Sequence, residues 1–167
     1  LRGAPGPSGL TTDLLRMLCR LECREGVFLC EAIAKLAKRI AEEPLPAEFM
    51  EAIITCRLVA LKKDGNKIGP IGIGDALRRL ISKGILRVCM DEVAKACGAM
   101  QTSCGLSDAC KSSAAALQKV WDDPKTEAIV LVDAKNAFNG MNRAEALRTV
   151  WQRCPRLAQA LENIYGF

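Results

Sequence analysis

The chain has 167 residues, of which half are hydrophobic and only 4% are aromatic. This length is sufficient for one ordinary domain with a real core, and no stretch of the sequence approaches the length of a membrane span. There are nine cysteines and no histidine. The absence of histidine excludes Ser-His and Cys-His hydrolase mechanisms. Because no two cysteines are spaced as Cys-x-x-Cys, a zinc site is not expected. We expect instead that the cysteines are reduced, mostly buried thiols of an intracellular protein.

The N-terminal part is predicted to be a loop followed by helices. Residues 1–11 are rich in Pro and Gly, and Thr11 or Thr12 can cap a helix that continues to about Arg24. A second amphipathic helix is predicted from Val27 to about Glu42, where prolines end it. A short helical turn over 48–54 follows. The apolar residues that we expect to face inward in the second helix are Leu29, Ile33, Leu36, Ala37 and Ile40.

A β-hairpin is predicted next. Residues 57–61 and 67–73 have the composition of strands, and the Asp-Gly between them favours the positive φ of a tight turn. Pro70 in the returning strand indicates an edge position. Two helices are then predicted, over 76–96 and from 107 to 121, with a loop over 98–105 between them.

The C-terminal part begins with a short apolar run. Ile129–Val132 leads directly into Asp133, and three of its four residues are β-branched, so we predict a strand buried on both faces. A carboxylate at the end of such a strand requires a partner, and a divalent cation is the usual one. The alternative is that Asp133 only caps the helix beginning near Ala134. A last helix is predicted from Arg143 to about Ile164, with an interruption near Pro155.

The positive charge is concentrated in one segment. Residues 57–95, here called the basic window, contain nine basic and four acidic residues, so this window carries the whole formal net charge of +5. One basic segment on an otherwise neutral protein is typical of a phosphate-bearing partner. The alternative is an ordinary solvated helix face.

These motifs resemble, in order, those of a reverse transcriptase. Asp133 with Phe138 five residues on is similar to motif A of right-hand polymerases, and the flanking Asn136-Ala137-Phe138-Asn139 and Asn142-Arg143 resemble the non-long-terminal-repeat retroelement type. Upstream, the segment RLVALKKDGNKIGPIGIGDALRRLISK is similar to the fingers of these enzymes. Gln101-Thr102-Ser103-Cys104-Gly105 resembles their loop between fingers and palm, and Gly6-Pro7-Ser8-Gly9-Leu10 weakly resembles their lead-in.

The resemblance implies a fold and a domain organisation. The fold class is α/β (α+β): helix-rich fingers with a β-hairpin, leading into the first strand of a palm. Residues 1–50 would form a helical lead-in, residues 51–127 the fingers-like region, and residues 128–167 the start of the palm with the motif A strand and its following helix. Both ends look cut, so we expect a fragment of a longer, intracellular protein.

The resemblance also implies the site and its ligands. Asp133 would be the catalytic carboxylate and would bind Mg²⁺ or Mn²⁺ together with the backbone carbonyl of Ala134. Phe138 would exclude the 2′-hydroxyl of a ribonucleotide. The remaining residues expected to bind substrate are Lys62, Lys63, Lys67 and Gln101. The partners would be an RNA template, a DNA primer and deoxynucleoside triphosphates, with no membrane involved.

Two departures from the family pattern leave alternatives open. Gly69 stands where the family has an Arg that binds the triphosphate, although Lys67 would share its strand face. The Asp122-Asp123 pair precedes Pro124 and predicts a helix stop rather than the second catalytic motif. Because two-metal chemistry needs more than one carboxylate, we expect the 167 residues alone to be inactive. The alternatives are a non-catalytic nucleic-acid-binding relic of a retroelement and a helical interaction module.

Overall fold

The computed structural model describes residues 3–63, 67–99, 101, 108–134 and 137–166, without the side chains of residues 63, 67, 138 and 139. The described part is helix-rich with one two-stranded antiparallel sheet, which confirms the α+β class. In chain order the elements are α1 (Thr12–Leu18), α2 (Arg24–Glu42), α3 (Ala47–Ile54), β1 (Cys56–Lys63), β2 (Lys67–Gly74), α4 (Ala76–Cys97), α5 (Ala109–Trp121), α6 (Ala137–Gly140), α7 (Arg143–Arg153) and α8 (Pro155–Tyr165).

The core lies where α2, α3, α4 and α8 meet. One apolar stripe of α2 faces inward, as its 3.6-residue period predicts, and its five predicted inward residues are half-buried or, at Ile40, fully buried. Met50 of α3 is fully buried against the same cluster. Ala160 allows α8 to approach closely, because its side chain is small. The buried residues of this cluster are Ile40, Met50, Ile81, Ile85 and Ala160.

A buried asparagine joins the end of α2 to α8. Pro44 has no N–H, so the Ile40 carbonyl lacks the helical donor that residue 44 would otherwise provide. Asn163 replaces it: its Nδ2 donates to the carbonyls of Ile40 at 2.9 Å and Glu43 at 2.8 Å, and its Oδ1 accepts from the Leu45 N–H at 3.1 Å. Asn163 thereby satisfies three backbone groups, which fixes α8 across the turn that follows α2.

The first helix is shorter than predicted. Thr11 is its N-cap, accepting from the Leu14 N–H at 3.1 Å, but the helix ends at Leu18 instead of near Arg24. The chain then turns, and the carbonyl of Arg20 lies so close to Gly26 in α2 that a Cβ at position 26 would overlap it. Glycine at this position therefore permits the turn that ends α1 early.

The predicted strand over Ile129–Val132 is wrong. The segment forms no strand in the described part of the chain, and Val130, Leu131 and Val132 are 83%, 82% and 90% exposed. A strand needs a neighbouring strand to satisfy its N–H and C=O groups, and the two strands that are described pair only with each other. In the part of 128–167 that the structure describes, a mostly exposed segment without regular secondary structure therefore precedes helices α6, α7 and α8.

The remaining predicted elements agree with the structure. The helix predicted for 76–96 is α4, and the helix predicted from 107 is α5, which ends at Trp121 just before the Asp122-Asp123 turn. The interruption at Pro155 separates α7 from α8. None of the helices in the described ranges is long and apolar enough to cross a membrane.

Candidate nucleic-acid interface

Strands β1 and β2 form the hairpin that the sequence predicted. Lys63 pairs with Lys67 and Leu61 with Gly69 across the two strands. Since side chains alternate along a strand, positions 63, 67 and 69 share one face of the hairpin. Position 62 pairs with Ile68 and belongs to the opposite face. The structure thus places Lys67 on the same face as Gly69, and it separates Lys62 from both.

The face that contains Lys62 is largely apolar and open. Leu58 and Ile68 on this face are 73% and 71% exposed, and Lys62 is exposed beside them. Apolar side chains next to a lysine can contact the flat surface of a base while the ammonium reaches a phosphate. Both faces of the hairpin therefore carry aliphatic side chains, including Leu61 and Ile71 on the face of Gly69, and the faces differ in the number of lysine positions: two on the face of Gly69 and one on the opposite face.

The base of the hairpin is fastened to the helical body by Arg78. Its Nη1 donates to the Ile54 carbonyl at 2.7 Å, at the end of α3, and lies 3.0 Å from the Cys56 thiol at the start of β1. Charge-assisted hydrogen bonds of this kind are stronger than neutral ones. Arg78 belongs to the basic window, but its guanidinium binds groups of the protein itself.

The N-terminal lead-in is fastened to the start of α4. Asp75 caps this helix by accepting from the Leu77 N–H at 3.2 Å, and it also accepts from the backbone N–H and the hydroxyl of Ser8. Burial acts to raise the pKa of Asp75, but the hydrogen bonds from Ser8 and the helix N–H groups outweigh it and lower the pKa below its ordinary value. A Cβ on Gly6 would lie 2.6 Å from the Asp75 Cα, so glycine permits the close approach. The contact between Ser8 and Asp75 was not predicted from the sequence, although the Gly-Pro-Ser-Gly segment indicated that the chain makes a close approach there.

The basic side chains of the window that the structure describes form no ion pairs with described acidic residues. Arg57, Lys62, Lys83, Arg87 and Lys95 are exposed, whereas Arg78 and Arg79 are half-buried. None of the ion pairs found in the described residues includes a basic residue of the window. These ion pairs are Arg16–Asp13, Lys38–Glu42, Arg39–Glu43, Lys111–Asp108 and Arg148–Glu145. The described part of the charge concentrated in this window is therefore not balanced by ion pairs.

Asp133 lies in solvent at the end of the exposed apolar segment. Its side chain makes no hydrogen bond or ion pair with the described residues, and Ala134 beside it is exposed. Because Asp133 is exposed, its carboxylate needs no bound cation or other partner to offset burial. No group of three His, Cys, Asp or Glu side chains in the described ranges could hold a metal ion. Asp133 can supply one ligand, and a magnesium ion bound there would depend on substrate phosphates for others.

The last two predicted site residues are only partly described. Gln101 is exposed, and its backbone N–H donates to the Gly98 carbonyl at 3.2 Å. Residues 102–107 after it lie outside the described residues. Phe138 lies in α6, but its side chain is outside the description, as are those of Lys63 and Lys67. The predictions for these three side chains remain predictions.

No family model, curated protein or solved structure matches the chain. The resemblance to reverse transcriptases consequently rests on the motifs of this sequence.

Proposed function

We propose that this chain contains the fingers and the motif A segment of an RNA-directed DNA polymerase of retroelement type. The parent reaction would be attack of a primer 3′-hydroxyl on a deoxynucleoside triphosphate opposite an RNA template. The observation that carries the proposal is the hairpin: it forms where it was predicted, its sequence is basic, and the exposed charges that accompany it on α4 form no ion pair with the described residues. Such a surface is suited to the phosphates of a nucleotide or a nucleic acid.

In this proposal the body of the protein fixes the hairpin relative to α4. Arg78 fastens the start of β1, and Asp75 fastens the turn between β2 and α4. Lys62, Lys63 and Lys67 would contact phosphates, with Gln101 near the substrate. A lysine contributes a charge on a flexible stem, so these contacts would not distinguish one base from another.

Motif A would supply the metal ligand and the sugar selectivity. Asp133 and the Ala134 carbonyl would bind a magnesium ion, which stabilises the charge that develops during phosphoryl transfer. Phe138 would occupy the space of a 2′-hydroxyl. The exposed segment Ile129–Val132 would pair with other palm strands, since its three most exposed residues are apolar and a solvated position leaves them unburied.

The experiment that tests the proposal restores the missing arginine. Gly69→Arg should tighten binding of a magnesium–deoxynucleoside triphosphate several-fold, measured by NMR titration of the chain. The matched control is Ala60→Arg, which adds the same charge to the same hairpin but on the opposite face, opposite Pro70. Ala60→Arg should give a smaller effect that salt removes. Equal effects of the two variants, or no effect of Gly69→Arg, would contradict the assignment of this face to the triphosphate.

A second candidate function is a nucleic-acid-binding relic without catalysis, and Gly69 is the observation that favours it. The relic would keep salt-dependent nucleic-acid binding through the exposed charges while Gly69→Arg gave no gain for the triphosphate. The two functions therefore predict different results in the same titration.

A further inference from the structure

Two thiols meet where α1 ends and α2 passes beside it. Cys19 is the C-cap residue of α1, and Cys30 lies in the second turn of α2. The Cys30 thiol donates to the Cys19 carbonyl oxygen at 3.8 Å. The turn over residues 20–23, which Gly26 permits, brings them together. They are consequently neighbours although 11 positions apart in the sequence.

Both thiols can be reached from solvent. Each is half-buried, and both line an open groove of about 960 Å³. A small oxidant can therefore approach the pair without any unfolding of the helices. Cys154, by contrast, is buried at the junction of α7 and α8.

We propose that Cys19 and Cys30 form a reversible disulfide when the protein meets a hydroperoxide such as hydrogen peroxide. One thiol, as its thiolate, attacks the peroxide oxygen, the O–O bond breaks, and a sulfenic acid and one water result. The sulfur of the second thiol then attacks the sulfenic sulfur, its proton passes to the departing hydroxyl, and a second water leaves. In sum two thiols and one hydrogen peroxide give one disulfide and two waters. A thiol reductant reverses the change.

The surroundings of Cys19 and Cys30 determine how fast the disulfide forms and how it changes the stability of the protein. Burial, and then the hydrogen bond and charge interaction with Cys30, raise the pKa of Cys19 above its ordinary value. Since the thiolate is the reactive form, the cross-link should form slowly at neutral pH and faster as pH rises. Once formed, it joins the end of α1 to α2. Because α1 follows the lead-in that Ser8 fastens to Asp75, oxidation should raise the melting temperature. This inference does not depend on the proposed function.

The cross-link can be read directly by peptide mapping. Trypsin places the three nearby cysteines on separate peptides: Met17–Arg20 contains Cys19, Leu21–Arg24 contains Cys23, and Glu25–Lys35 contains Cys30. Dilute native protein would be treated with hydrogen peroxide, alkylated, digested without reductant and analysed by mass spectrometry. The expected product is Met17–Arg20 joined to Glu25–Lys35, and dithiothreitol should remove it.

Matched variants separate this pair from general thiol oxidation. Cys19→Ser and Cys30→Ser should each abolish the joined peptide and the rise in melting temperature, whereas Cys23→Ser, four residues from Cys19, should change neither. In concentrated urea the preference for Cys30 over Cys23 as the partner of Cys19 should disappear. A native product in which Cys19 is joined mainly to Cys23, or in which both Cys19 and Cys30 stay reduced while exposed cysteines oxidise, would overturn the proposal.

Discussion

Replacing Asn163 by alanine tests how the helical body is held together. The substitution removes two donors from the Ile40 and Glu43 carbonyls and one acceptor from the Leu45 N–H. The Ile40 carbonyl is affected most, because Pro44 cannot replace the lost donor. Each buried group left without a partner costs about 1–3 kcal/mol.

The hydrogen bonds to Glu43 and Leu45 are only partly buried, and water can satisfy those groups in the variant. We therefore expect Asn163→Ala to lower the free energy of unfolding by about 3 kcal/mol in total. For a chain of this length that corresponds to a fall in melting temperature of about 6–12 °C.

The assay is urea unfolding followed by circular dichroism, with Gln159→Ala as the matched control. Gln159 lies one turn earlier in α8, and its side chain donates to Asn163 Oδ1 in a long hydrogen bond of 3.4 Å, so its loss should cost no more than about 0.5 kcal/mol. If Asn163→Ala were as stable as Gln159→Ala, the assignment of Asn163 as the donor that replaces Pro44 would be refuted.

Four further substitutions test the attachments and the site. Gly26→Ala should destabilise the protein, because its Cβ would overlap the Arg20 carbonyl, whereas Gly84→Ala in open space within α4 should stabilise it by about 0.5–1 kcal/mol in thermal unfolding. The pKa of Asp75 is lowered in the folded state, so its contribution to stability is present above the unfolded-state pKa and is lost as pH falls through the lower folded-state value. In acid unfolding, Asp75→Asn should therefore lose less stability than the wild type. Asp133→Asn should change the melting temperature by less than about 1–2 °C, because Asp133 is exposed and has no partner among the described residues; a large loss would indicate a structural role.

The helices and the hairpin could be predicted because their signals are local. The apolar period of α2, the Thr11 cap and the Pro155 interruption each lie within a few residues of the feature that they determine. The hairpin was predicted from two short apolar runs on either side of an Asp-Gly, and the structure confirms that the two strands pair.

The features that failed or were missed depend on distant parts of the chain. The apolar run Ile129–Val132 has the composition of a buried strand, but composition does not supply the neighbouring strand that it needs. The end of α1 is set by the approach of Gly26 to Arg20, and the Asp75 attachment by Ser8 far away in the sequence. Contacts of this kind leave at most a glycine as their local signal.

Within the candidate site, the sequence located the basic segment but did not show which of its charges bind groups inside the protein and which lie in solvent. Arg78 and Lys62 look alike in the sequence, yet one fastens the hairpin internally and the other lies in solvent. Arg78 lies on the side of α4 that meets the end of α3, whereas Lys62 lies on an open strand of the hairpin. Net charge does not specify how a helix packs.

The most direct test of the central claim is the salt dependence of binding to an RNA–DNA primer–template. We predict that affinity falls steeply between low and moderate salt, and that Lys62→Glu with Lys63→Glu weakens binding to all sequences alike while making the slope of log affinity against log salt shallower by about 2. The matched variant Lys35→Glu with Lys119→Glu makes the same change in charge at two exposed lysines outside the basic window and should leave that slope close to the wild-type value. Binding that ignores salt, or that both double variants weaken equally, would contradict the account.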